Sequence, residues 1–172
     1  NNREDAGEGD LTAKRSVGAC STHSPAVPQL TINSPESIAK ECLTGGASFG
    51  QQPTAAGTSG DVVAATTAAE DSPVQDLEGC TPYSEDVSGK VVLVNRGSCT
   101  FVQKAQVATD AGASALVIGN NDDAPFGMSG DGADLVTTVS IGLGDRELIR
   151  GELAAGNPVN VTIRDAGGTR ED

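Results

Sequence analysis

The sequence predicts a small α+β domain with many short strands and two main helices. Three observations carry that prediction. Residues 91–94 (VVLV) are apolar at four consecutive positions and read as a strand buried on both faces. A helix-period stretch and a second apolar run at 115–118 follow within about 28 residues, the span of a right-handed parallel strand–helix–strand unit. Further on, a second helix-period stretch leads into Val159, Val161 and Ile163, which alternate as in a half-buried strand.

The elements follow in order. Residues 1–19 are polar and Gly-rich and are expected to fray. LTIN (30–33) is the first strand candidate. In SPESIAKECL (34–43), Ser34 can cap, Pro35 suits a first helical position, and Ile38 and Cys42 fall four apart, which predicts a short helical turn ended by Gly45 and Gly46. Residues 50–60 read as a loop. DVVAATT (61–67) is a strand signal through Val62 and Val63. Residues 70–89 are irregular, punctuated by Pro73 and Pro82 and anchored by Val74, Leu77, Cys80 and Val87.

In the main helix, Phe101, Ala105, Ala108 and Ala111 make the apolar stripe, Thr100 is its N-cap and Gly112 its stop, and Lys104 is assigned to the solvent side. A Gly/Asp loop spans 122–135. Residues 136–143 return as a strand carrying Val139 and Ile141. In DRELIRGELAAGNP, Asp145 is the expected cap, Leu148, Ile149 and Leu153 form the stripe, and Gly156 and Pro158 end it. One domain is expected at 20–164, between the acidic segment 1–19 and a polar tail at 165–172.

Charge and composition exclude whole classes of function. The 172 residues carry 11 Lys and Arg against 24 Asp and Glu, a net charge of −13. A nucleic-acid surface needs the opposite field, and so does an anionic membrane surface. No apolar run approaches the roughly 18 residues of a membrane span. With no Trp, one Tyr and three Phe, the core must be aliphatic and Ala-rich. The chain does not begin with Met, so a piece of a longer protein is expected.

Four cysteines, Cys20, Cys42, Cys80 and Cys99, permit two disulfides in three pairings and point to an oxidising compartment, secreted or at the cell surface. Nearest-neighbour pairing would give Cys20–Cys42 and Cys80–Cys99. The single histidine, His23, lies among turn formers, so a Ser/His/Asp or Cys/His mechanism has one imidazole to draw on, and no catalytic residue is assigned. The Gly-rich segments fit no phosphate-binding pattern. The acidic loop with Asp122, Asp123, Asp131 and Asp134 is a weak candidate for calcium, although it lacks the twelve-residue calcium-loop spacing; otherwise no cofactor is expected. Asn160-Val161-Thr162 is a formal N-glycosylation acceptor with its side chain facing out. Asn120 and Asn121 end a buried strand, where such residues satisfy turn backbone.

The run from Gly79-Cys80 through GKVVLVNRGSCTF, QKAQVATDAGASALVIGNN, TTVSIGLGDRELIRGELAAG and VNVTI resembles the protease-associated domain. It covers about residues 77–163. The resemblance implies a swivelling β/β/α fold, a small open barrel or sandwich flanked by two helices. It also implies a Cys80–Cys99 disulfide and a non-catalytic module. Such domains sit in or beside secreted subtilisin-like serine peptidases and zinc aminopeptidases, and occur in sorting receptors and membrane-bound ubiquitin ligases. The expected function is recruitment of a protein or peptide substrate, or control of access to a parent peptidase's active site, with peptide contacts at Arg96, Asn120, Asn121 and Phe126. The alternative is the ectodomain of a surface or cargo receptor or an adhesive protein, with calcium.

Overall fold

The computed structural model describes residues 27–66 and 77–166. The segment 1–19, Cys20, His23 and the end of the tail lie outside them. Seven strands and two helices follow one another: β1 (Pro28–Ser34), β2 (Lys40–Cys42), β3 (Thr58–Ala64), β4 (Val91–Asn95), α1 (Phe101–Asp110), β5 (Ala115–Gly119), β6 (Thr137–Ile141), α2 (Leu143–Ala154) and β7 (Asn160–Asp165). The single sheet runs β2-β1-β7-β3-β4-β5-β6. Its β3 to β6 half is parallel, and β7 returns antiparallel between β1 and β3. This mixed topology follows from the connections. The α1 crossover carries the chain from β4 to a parallel β5, with Val91 opposite Ala115 and Asn95 opposite Gly119.

The sheet curls until its two edges meet. Gly45, three residues beyond β2, exchanges both backbone hydrogen bonds with Ser140 of β6, each 3.0 Å. Glycine is required there, because a Cβ at 45 would overlap the Phe126 carbonyl oxygen and the Ser140 Oγ.

Side-chain alternation divides the core. Leu30, Ile32, Val62, Val91, Leu93, Val117, Val139, Val161 and Ile163 point to one face and pack with Ile149 of α2. Val92, Val94, Leu116 and Ile118 point to the other and meet Ala105 and Ala108 of α1, together with Phe49, Met128 and Leu135. Burying each Val or Leu contributes about 1.5–3 kcal/mol. The small alanines let α1 lie close on the sheet. Thr100 caps α1 by accepting from the Gln103 N–H, and Gly112 turns the chain out at φ +81°.

Three expectations are corrected. The stretch 34–43 holds only a 3-10 turn at Glu36–Ile38 and then β2, because pairing of Cys42 with Leu30 across β1–β2 outweighs the helical spacing. Cys42 faces the core as a free thiol, and its expected partner Cys20 lies outside the described residues; the bridge among the described residues is Cys80–Cys99, with Cα atoms 5.9 Å apart. Lys104 is fully buried, not solvent-facing. Helix α2 starts at Leu143 rather than at an Asp145 cap. Its N-cap is Gly142, and Asp123 accepts the Gly144 N–H at 2.9 Å from another loop, which frees Asp145 to pair with Lys40 at 2.6 Å.

Candidate functional site

Residues at the carboxyl ends of parallel strands share one rim, the usual place for function in sheets of this kind. In-register pairing of β4 with β5 places Arg96 beside Asn120. The Arg96 N–H donates to the Gly119 carbonyl at 2.9 Å, and its Nη1 donates to Asn120 Oδ1 at 3.2 Å. The exposed guanidinium stacks over Phe126, with its carbon 4.4 Å from the ring centre, and lies 5.6 Å from the ring of Phe101. The two rings are 5.3 Å apart. Phe126 is held by its own backbone: its N–H donates to Ser140 Oγ, which donates back to the Phe126 carbonyl at 2.6 Å. Phe101 is fixed as the first residue of α1.

The structure brings Arg96, Asn120, Asn121 and Phe126 together, but in different roles. Asn120 is buried and fully engaged. Its Oδ1 accepts from Arg96 and from the Asn121 N–H, and its Nδ2 donates to Asp122 Oδ1 and to the Ala124 carbonyl. It positions Arg96 and has no atom left for a ligand. Asn121 is exposed, accepts from Arg146 Nη1 at 3.1 Å and leans on the Arg96 carbonyl. Among the described residues no carboxylate pairs with Arg96. A cation fixed flat on an aromatic ring, with free N–H edges and an exposed amide beside it, can grip a peptide carbonyl or carboxylate. The stacking itself is worth about 0.5–1 kcal/mol at an exposed site.

A buried lysine, held by two backbone carbonyls, supports the rim from below. Lys104 Nζ donates to the Glu78 carbonyl at 2.6 Å and to the Asn95 carbonyl at 3.0 Å. Burial lowers its pKa to about 8, against the opposing pull of the Glu78 carboxylate. That carboxylate accepts from the Ser98 N–H and the Ser98 hydroxyl, at 2.9 and 2.7 Å. Gly97 lets it approach, because a Cβ there would overlap the Glu78 carboxyl group. The Cys80–Cys99 bridge ties the same two segments. Sequence reasoning missed Lys104, although the signal was present: position 104 lies three after Phe101 and four before Ala108, inside the stripe.

The acidic loop is arranged differently. Asp122 accepts from Asn120 and from the Ala124 N–H, Asp123 caps α2, and Asp131 and Asp134 are exposed. Among the described residues no three metal-ligating side chains gather. Asn160 lies on the outer face of β7, where it accepts from Asn33 and donates to Asp61 at 3.0 Å.

Comparison with known proteins matches this architecture. The PA (protease-associated) domain family matches residues 56–149. The chain belongs to the PA domain family. This PA domain is 46% identical over 70 residues to a probable lipoprotein aminopeptidase, LpqL, of Mycobacterium tuberculosis, which is 39% of this chain and 13% of that protein. It is 38% identical over 82 residues to the minor extracellular protease Vpr of Bacillus subtilis, 48% of this chain and 9% of that one. In fold it is similar to an aminopeptidase from Aneurinibacillus sp. strain AM-1, with a TM-score of 0.60 and 24% identity, covering 84% of this chain and 32% of that one. The chain thus spans about a third or less of each.

Proposed function

We propose that this PA domain is a non-catalytic accessory module of a secreted or surface-exposed peptidase, and that it recruits protein or peptide substrate through the rim at Arg96. One observation carries the reading. Arg96 is exposed, pre-oriented by Asn120 and stacked on Phe126, and no carboxylate of the described residues neutralises it. A cation ordered in this way, in a chain of net charge −13, makes a specific contact for an acidic side chain or a main-chain carbonyl. The PA-bearing relatives named as an aminopeptidase and an extracellular protease support a peptidase parent.

The test is a titration of the isotope-labelled domain with unfolded casein, read by amide shifts. Recruitment at this rim predicts shifts at Arg96, Asn121 and Phe126 that Arg96→Ala removes. Absence of shifts at millimolar concentration overturns direct recruitment and leaves control of access as the module's role. Hydrolysis by the isolated domain would overturn the non-catalytic reading.

A further inference from the structure

A second cation stands away from the Arg96 stack. Arg150, on α2, directs Nε and Nη2 to a single neutral acceptor, Asn95 Oδ1, at 3.2 and 2.9 Å. Its Nη1 has no acceptor among the described residues. The carboxylate whose charge acts on it, Glu147, is engaged with Arg146 at 2.9 Å. Burial and the neighbouring Arg146 disfavour the charge on Arg150, and Glu147 favours it. Arg150 lines an open groove of about 520 Å³ between α2 and the end of β3, together with Val62, Val63, Ala64, Leu153 and Ala154. A half-buried guanidinium held by an amide rather than an acid is matched best by an anion, and among the described residues none pairs with it. The apolar walls call for an aliphatic group directly attached to that anion.

We propose that this groove binds the free C-terminal carboxylate of a peptide ending in an aliphatic residue, with the carboxylate on Arg150 and the side chain against Val62, Ala64 and Leu153. This site shares no residue with the Arg96 rim and does not depend on recruitment there. Asn95, itself hydrogen-bonded to Arg150, sets the orientation of the guanidinium.

Binding of acetyl-Ala-Ala-Leu with a free carboxylate is compared with binding of its C-terminal amide by amide-shift titration. The acid is expected to shift residues 62–64 and 150–155 and to bind roughly tenfold or more tightly than the amide, the order lost with a charge-assisted hydrogen bond. Arg150→Gln should erase the difference between the two peptides. Ala154→Trp, on the exposed side of α2, should block both peptides while leaving Arg150 and the fold intact, which the dispersion of the remaining amide signals checks. Equal binding of acid and amide, shifts confined to the Arg96 rim, or no shifts at millimolar peptide each overturn the proposal. So does tighter binding of decanoate than of the peptide, which would make the occupant a lipid.

Discussion

The Glu78 carboxylate occupies the space that a side chain at position 97 would fill. Ser98 completes the contact by donating both its N–H and its hydroxyl to the same carboxylate oxygen. The glycine that follows Arg96 is therefore set by a buried acid twenty residues upstream of Ser98, not by a local turn alone.

Gly97→Ala should destabilise the domain by about 1–3 kcal/mol, because the carboxylate must leave its donors while it stays close to Lys104. Thermal melts of the single variants and of the Glu78→Ala/Gly97→Ala pair check this. The two losses should be strongly non-additive, since the alanine at 97 has nothing to overlap once the acid is gone.

Lys104 gives a pH dependence with an unusual sign. Its folded pKa of about 8 lies below its ordinary value near 10.5, so the unfolded chain binds the proton more tightly. Its contribution therefore rises as pH climbs from about 8 to 10.5 and is lowest below 8. Cys42 and Tyr83 act oppositely, because burial raises the Cys42 thiol to about 12 and moves the Tyr83 phenol up as well. The difference in stability between the parent and Lys104→Met across pH 7–11 isolates the lysine. A flat difference would contradict its depressed folded pKa.

Reduction of Cys80–Cys99 should cost about 3 kcal/mol in the chain-entropy picture, for a bridge 19 residues apart. The loss should be local first. Hydrogen exchange under reductant should speed up at residues 77–83 before it changes in β4 and β5. Simultaneous loss of protection in both regions would mean that the bridge stabilises the sheet as a whole.

Cys42 should be inert in the native chain. Burial first, then the negative charge of Asp145, hold its thiol protonated, and the residue is only 6% exposed. Alkylation at pH 8, mapped to the Cys42 peptide by mass spectrometry, should proceed only as fast as the chain opens. Rapid native labelling would place the thiol at the surface.

Legibility followed sequence distance. The β4–α1–β5 unit, its Thr100 cap and the alternation in β7 are written in neighbouring residues, and the structure has them. The rim was half legible: Arg96, Asn120, Asn121 and Phe126 do meet, but the burial that turns Asn120 into a support depends on Asp122 and Ala124 folding back on it. Residues 34–43 misled because Ile38 and Cys42 carry a helical spacing while the partner that decides their state, β1, is a tertiary one. The cap of α2 was illegible for the same reason, since Asp123 arrives from 21 residues away.

The bond pair between Gly45 and Ser140 has a consequence for how visitors can attach. It occupies the outer edge of β6 at the fourth of its five residues, and β2 offers only three residues. Among the described residues a guest chain finds no long open border to extend as an eighth strand, and recruitment by backbone zippering is disfavoured. Binding through side chains at the strand ends, as proposed, would make selectivity sensitive to single arginines rather than to strand geometry.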